Sequence, residues 1–497
     1  MKKKLIALLL ACVMLFALSA CGGGGGEGGG GGDDEIYTVV MAFPTWVGAP
    51  ADTKMVQDAI NEITREKIGV EVEFQIYDIG SYTQSLTLAL AGGEQVDICS
   101  AMSVGYATLA NQGYLLDMDE NDLLKTYGKG IIDAVGQEFI DAARYGGKQL
   151  GLPGNKDMAQ GRGCVAIQTK YLEGIGYQFP AGDEEIIRIT EAELNDILDQ
   201  IHAAYPNIDL IRPATGPMQY STADYLGNSP FGVLMDYGKG STVVDFFETD
   251  EYYDYCKMVY DWNQKGYISK DAATDTTSVT ELAKADVLVA YTTGGKPGIK
   301  SQETLQNNCD MTIFQTKEDF VSSTGVAGMP WCITVNTDNA VATMKLLNEF
   351  YTNKELANLL AYGIEGTHYT LTANGQYSPD GCTNPGGFST LMFLSPNEYL
   401  LYVPETDDPQ LWQQMKDFNS NAEQSIASGF LFDATGVSTE LTAVQNVYNE
   451  YQQQLEYGFL DPDTGIPEMV NKMMNAGLQT IIDAKQAQLD EWLAAKG

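Results

Sequence analysis

Two hydrophobic periods alternate along the chain after residue 35. Ile36–Phe43 (IYTVVMAF) is a β-rich run closed by Pro44. The following TKMVQDAINEITREKIG places Met55, Ala59, Ile60 and Ile63 at helical spacing and stops at Gly69. Val70–Asp78 (VEVEFQIYD) alternates apolar and polar residues as a half-buried strand does. SYTQSLTLALAGGE reads as a helix up to Gly92, and Val96–Met102 (VDICSAM) as a third strand. This β-α-β-α-β order predicts an open α/β lobe of parallel strands, whose ligands sit beyond the strands' carboxyl ends. A second α/β stretch follows Tyr145–Asn155 (YGGKQLGLPGN). In it Thr190 and Glu193 form a capping box ahead of Leu194, Ile197, Leu198 and Ile201 on one helix face. Val287–Tyr291 and Trp331–Asn336 read as later strands, and NAVATMKLLNEFYTNKELANLLAYG as one long helical region ending at Gly363. No repeat of 20–50 residues is present.

The first 35 residues follow neither period. Lys2, Lys3 and Lys4 precede an apolar run from Leu5 to about Ala17, then Ser19 and Ala20. A basic start, a short apolar core and a small-residue exit predict a secretory signal over residues 1–20; the alternative is an anchor helix that is never cleaved. Leu18-Ser19-Ala20-Cys21 resembles the bacterial lipobox, in which the cysteine thiol takes a diacylglycerol and becomes the first mature residue. Residues 21–35 then join that lipidated Cys21 to the body through two runs of five glycines split by Glu27. Such a chain has an r.m.s. span of about 20 Å, enough to hold a folded body near a membrane without fixing its orientation. The expected location is the cell membrane, lipid-anchored and facing outward.

Composition narrows the chemistry. Roughly 460 residues remain after the tether, enough for two or three lobes with their own cores. No later segment is apolar for long enough to cross a bilayer. The net charge of −38 argues against nucleic acid or polyphosphate ligands, which need a basic footprint. Cys99, Cys164, Cys256, Cys309, Cys332 and Cys382 are scattered without a C-x-x-C pair and read as small apolar fillers; an outward location permits a bridge or two. The histidines, His202 and His368, lie too far apart in sequence for the usual zinc spacing. DMDEND (Asp117–Asp122) matches the opening of a calcium loop, but Asp122 stands where glycine is required and Gly128 where the closing glutamate belongs. Neither a metal nor a cofactor is expected.

LALAGGEQVDICSA, then QGYLLDMDENDL, then GGKQLGLPGN resemble, in that order, family 1 of the bacterial extracellular solute-binding proteins. WNQKGYISKDA (Trp262–Ala272) is similar to a later landmark of that family, and LLAYGIEGTHYTL (Leu359–Leu371) resembles the Gly-x-Glu-Gly-x-x-Tyr signature of its oligosaccharide-binding lipoprotein branch. The segment from GFLFDATG to the end resembles a C-terminal domain of undefined function that closes some members. The resemblance implies a two-lobed, type II periplasmic-binding-protein-like fold. Each lobe would be an open β-sheet flanked by helices, with an additional helical C-terminal region. It implies lobe 1 over residues 36–155 plus 294–369, and lobe 2 over 156–293 plus 370–497. It further implies a receptor, not an enzyme, that closes on a carbohydrate, expected to be an oligosaccharide, and presents it to the permease subunits of an ABC importer. The expected state is a monomer.

Sugars are held by aromatic faces and by hydrogen bonds that replace water around each hydroxyl. With 28 tyrosines and 5 tryptophans, position has to choose among them. Trp46 follows the first strand and Tyr106 the third, where an α/β cleft opens. Asn155 and Lys156 stand at the crossover between lobes, and Trp331 at the mouth of a later strand. Tyr82 opens a helix. Glu365 and Tyr369, with His368 between them, either accept hydroxyl hydrogen bonds or lock a turn. For each of the others the alternative is a packed core or a solvated turn. Two other functions stay open on these residues. One is a secreted glycoside hydrolase, which needs a carboxylate pair about 5–9.5 Å apart. The other is a receptor of the same fold for a peptide or other small solute.

Overall fold

The strands of three or more residues, in the computed structural model, are β1 (Tyr37–Thr45), β2 (Val70–Asp78), β3 (Ile98–Ser100), β4 (Gln160–Gln168), β5 (Ile186–Arg188), β6 (Asp209–Arg212), β7 (Leu288–Gly295), β8 (Met311–Gln315), β9 (Asp319–Val321) and β10 (Trp331–Ile333), and the two-residue Glu423–Gln424 joins the second sheet. The structure describes residues 36–182, 185–227 and 229–496, so the leader, Cys21 and the glycine tether lie outside the described residues.

The first sheet runs β10-β3-β1-β2. β1 is parallel to β2 from Tyr37 opposite Val70 to Thr45 opposite Asp78, and parallel to β3; β10 closes the other edge antiparallel. The period of two sorts its faces. Val39, Met41 and Phe43 point to the helices Thr53–Ile68, Ala340–Thr352 and Lys354–Tyr362, while Ala42 packs with Tyr82, Leu86 and Leu90 of the helix Ile79–Gly92. The long helical region expected to end at Gly363 is two helices. Asn353 takes an extended conformation between them and its side chain accepts from the amides of Glu355 and Leu356, capping the second.

The second sheet has seven strands. β4 is central, pairing antiparallel with β7 on one side and with β8 on the other. β6 and β5 extend these edges in parallel to β7 and β8. Val165 and Ile167 of β4 face the helices Glu191–Ala204 and Asp250–Gln264, with the capping box of Thr190 and Glu193 in place. Cys164 and Ala166 face the helices Val279–Lys284 and Ile299–Asn307. Three C-terminal helices, Ser438–Glu456, Pro462–Ala476 and Leu478–Lys496, insert Val444, Leu455, Met469 and Ile481 into the same core as Val165.

The expected return to the first lobe near Gly294 needs correction. β8 and β9 still pair with β4, so the chain leaves the second sheet only after Val321 and rejoins the first at Trp331. The other boundary, at residue 369, also moves. Leu401 packs with Ala357, Tyr362 and Tyr369, and the chain re-enters the second sheet where Glu423–Gln424 pairs with β9. Three passes therefore connect the lobes, near residues 155–159, 322–330 and 405–422.

These passes are bound to one another. The side chain of Asn419, in the helix Leu411–Asn421, accepts from the amides of Met158 (2.8 Å) and Ala159 (3.0 Å) and donates to the Lys156 carbonyl (2.8 Å). Met158, Ala159, Val321, Val326 and Ala422 form a small apolar cluster with Ala142 of the first lobe. Gly429 donates its amide to the Ser323 carbonyl at 3.0 Å and has a φ of +90°, and a Cβ there would run into the Ala142 carbonyl. Gly429→Ala should combine left-handed strain with overpacking and lower stability by about 2–4 kcal/mol. Urea denaturation measures it, and a loss within experimental error of zero would show that the joint tolerates the methyl group.

Candidate functional site

A cavity of about 560 Å³ lies where the first two passes cross. The first lobe supplies Trp331, Phe393, Leu394 and Ser395, the second supplies Thr293–Lys296 and Phe320, and the passes supply residues 156–160 and 322–329. A larger hollow of about 900 Å³ opens beside β5 and β8 and shares no residue with it. Only the first is bounded by both lobes and by the segments that join them.

Its first-lobe wall is aromatic. Phe393 sits in a single helical turn, Met392–Leu394, with its ring centroid 6.3 Å from that of Trp46 and Lys156 Nζ 5.5 Å above it. Trp46 follows β1 directly and is 60 % exposed, an unusual placement for a large ring. Trp331 lines the same cavity but is nearly buried; its Nε1 donates to the Leu394 carbonyl at 3.0 Å and its ring packs edge-on against Phe43. It forms the floor that holds residues 393–395 in place, while Trp46 offers the free face.

The joint side is ionic. Asp157 receives Lys296 Nζ at 3.2 Å and Lys156 Nζ at 3.6 Å. Burial pulls the Lys296 pKa down, but the charges of Asp157 and Glu398 outweigh it and the net shift is upward. Among the described residues, Asp157 Oδ1 and Ser395 Oγ are buried without a hydrogen-bond partner, and both residues line the cavity. In a chain of net charge −38 this patch gathers charges of both signs, and with its amphipathic rings it suits an uncharged ligand rich in hydroxyl or amide groups.

The remaining expected contacts fall elsewhere. Tyr82 is fully buried and its hydroxyl lies 3.1 Å from the Ala42 carbonyl and 2.8 Å from that of Ser100, tying the helix to β1 and β3. Tyr106 is buried and donates to the Ala143 carbonyl at 2.6 Å. Tyr106 reads as a cleft residue because it follows a strand and Tyr82 because it opens a helix, yet both rings turn into the core. Asn155 braces the joint: its amide donates to Pro396, its carbonyl accepts from Glu398, and its side chain donates to Ala134 and Asn397. Tyr369 packs against Tyr362 and Tyr377. Glu365 is exposed on the preceding turn, outside the cavity lining. His368 accepts the Ile364 amide at Nδ1, which leaves its Nε2 to donate to Asp52 at 3.1 Å, so this segment locks a turn. The cysteines at 99, 164, 256, 309, 332 and 382 are free. Asp119 of the failed calcium loop pairs with Arg144, and among the described residues no His/Cys/Asp/Glu group is placed to hold a metal.

Phe393, Asp157, Ser395 and Lys296 were not legible in the sequence. Asp157 adjoins Lys156 and Lys296 directly follows β7, whereas Phe393 and Ser395 lie on a single helical turn and the bend after it, which no hydrophobic period marks.

Two lobes, a threefold connection and a cleft at the joint define a type II solute-binding protein. Residues 58–380 match the family described as bacterial extracellular solute-binding protein, and residues 426–494 match a domain of unknown function (DUF3502). The chain belongs to the bacterial extracellular solute-binding proteins. A "Carbohydrate ABC transporter substrate-binding protein" of Streptococcus pneumoniae is 27 % identical over 453 residues, covering 88 % of this chain and 87 % of that one. The N-glycan transport solute binding protein NgtS of the same species superposes with a TM-score of 0.79 at 24 % identity, covering 93 % of this chain and 100 % of that one. Its complex with Man5GlcNAc superposes with a TM-score of 0.67 at 24 % identity, covering 93 % and 99 %.

Glu398 lies just behind the ionic patch. It is almost fully buried, both carboxylate oxygens lack a partner among the described residues, and burial, then the Asp157 charge, push it up to about 7. A folded-state pKa above the ordinary carboxyl value gives stability that is complete below about pH 4.5 and is lost as pH rises through about 7. Glu398→Gln should therefore stabilise the protein at pH 8 relative to wild type by up to roughly 3 kcal/mol, and by little at pH 4.5. Urea titrations at both pH values test this, and parallel shifts at the two would refute it.

Proposed function

We propose that the protein is a lipid-tethered extracellular receptor that captures an oligosaccharide between its lobes and delivers it to an ABC importer. The observation that carries this reading is the exposed Trp46 ring set against Phe393 at the edge of a cavity whose lining also holds Asp157 Oδ1 and Ser395 Oγ, neither of which makes a hydrogen bond among the described residues. A sugar ring stacks its apolar face on an indole and fills such acceptors with its hydroxyls. The carbohydrate named for the pneumococcal relative and the N-glycan fragment bound by NgtS favour the same class of ligand. Closure follows from contacts to both lobes: a ligand touching both favours the closed arrangement by its differential affinity. Cys21 would carry the diacylglycerol, and the glycine tether would hold a monomeric receptor at high local concentration near its permease.

Thermal-shift screening of the purified body against mannose- and GlcNAc-containing oligosaccharides, with Man5GlcNAc as first probe and peptides as the contrast, tests the class. A glycan should raise the melting temperature and be recovered intact. A shift with peptides alone, or glycan cleavage, would overturn the reading. For the glycan found, Trp46→Ala and Phe393→Ala should each weaken binding about tenfold or more by calorimetry (~1.4 kcal/mol). Unchanged affinity in both would remove these rings from the site.

A further inference from the structure

The C-terminal helices belong to a region whose matching family carries no function, and one of their side chains is out of keeping with its surroundings. Lys485, in the helix Leu478–Lys496, is fully buried, yet its Nζ donates to three backbone carbonyls, Tyr225 (2.9 Å), Ser229 (3.1 Å) and Gly232 (2.9 Å). Three acceptors use all three N–H donors of an ammonium group, so this geometry holds the side chain charged. Burial opposes that, drawing its pKa down to about 7, and the charge of Asp224 offsets part of the cost. The next residue grips the same place: Gln486 Oε1 accepts from the Val243 amide at 2.7 Å.

What the helix grips is a small ladder. Val233 and Val244 exchange both backbone hydrogen bonds, and so do Asp224 and Leu234. Gly232 and Val243, the residues held by Lys485 and Gln486, adjoin the first pair. Asp224 is buried at the end of this ladder, and its carboxylate reaches out of it. Oδ2 accepts from the Ser323 amide at 2.8 Å and Oδ1 from the Ser323 hydroxyl at 2.6 Å. Ser323 opens the second pass between the lobes, and its neighbours Ser322, Thr324 and Gly325 line the cavity.

We infer that the C-terminal helical region sets the position of the second pass at the cleft, with Lys485 as a positioning residue that acts through the ladder and Asp224 on Ser323. The region is thereby part of the binding apparatus without touching ligand. A purely local role for Lys485 would stabilise residues 225–232 and stop there. The two bonds from one carboxylate to Ser323 carry the constraint further, because a carboxylate anchored through its own backbone cannot follow a displaced serine.

Amide hydrogen exchange on the full ligand-free body tests this independently of whether the ligand is a sugar. In Lys485→Met the amides of Leu234 and Ser323 should exchange at least tenfold faster, while that of Val72, in the first sheet, keeps its wild-type rate. Faster exchange at Leu234 with Ser323 unchanged would overturn the inference, as would equal acceleration through the whole second lobe. Asp224→Leu keeps the approximate size of the side chain and removes both acceptors, cutting the chain of contacts beyond the helix, and it decides the matter if Lys485→Met does not fold. There Ser323 should loosen while the amide of Val243, held by Gln486, keeps its protection. Wild-type exchange at Ser323 in Asp224→Leu would refute the proposal.

Discussion

Every wall of the cleft hangs on a joint made of three chain passes. A joint that bends cannot be a sheet or a helix, yet its backbone amides are as costly to bury unpaired as any others. Side chains resolve the conflict. Asn419 from the third pass satisfies two amides and a carbonyl of the first, and Asp224 satisfies the amide of Ser323 in the second. Gly429 donates to Ser323 and approaches Ala142 more closely than a residue with a Cβ could. Partners of this kind lie at the ends of rotatable bonds, so the passes stay paired while the backbone keeps freedom that a ladder would remove.

The same joint sets the character of the cleft. Lys156 and Lys296 stand on Asp157, and Glu398 lies behind them, so charges of both signs are gathered where the chain as a whole is strongly acidic. A net negative cleft would attract cations and hydrate heavily. One with charges of both signs leaves polar atoms such as Ser395 Oγ, which makes no hydrogen bond among the described residues, for a neutral ligand, and the aromatic wall beside it gives that ligand an apolar face to lie on.

Much of the first lobe could be read in the chain because its order is local. β2 carries a clean period of two and β1 a nearly continuous apolar run, and the parallel pairing they imply is what forms, although the helix between them buries Val56, Ile60, Asn61 and Thr64 and leaves the expected Met55 exposed. The second sheet was harder. Its central strand β4 contains Gly161, Arg162 and Gly163, which weaken any strand pattern, and β8 and β9 are short runs whose partners lie some 150 residues away. That distance is why the boundary between lobes was misplaced. At the candidate site, Trp46 and Lys156 could be singled out from their position after a strand and at a crossover. Tyr106, which follows a strand, and Tyr82, which opens a helix, lie in the core instead, since a tyrosine with a carbonyl within reach of its hydroxyl is as content in a core as in a cleft. Phe393 gave no signal because an irregular segment has no period.

The C-terminal region belongs in this account as structure and not as an appendage. Val444, Leu455, Met469 and Ile481 pack behind the helix Asp250–Gln264 and complete the core it shares with Val165 and Ile167, so residues 58–380 alone leave part of that core uncovered. The region adds charge where apolar residues would have sufficed: Lys485 in a cage of carbonyls, and Glu456, which accepts from Tyr448 and is pushed up to about 7 by burial. Burying such groups costs more than burying leucines would, and what they add is direction. A hydrophobic contact lets a helix slide, whereas a lysine held on three carbonyls fixes it to one register. The loop it fixes is the one that reaches Ser323 at the joint.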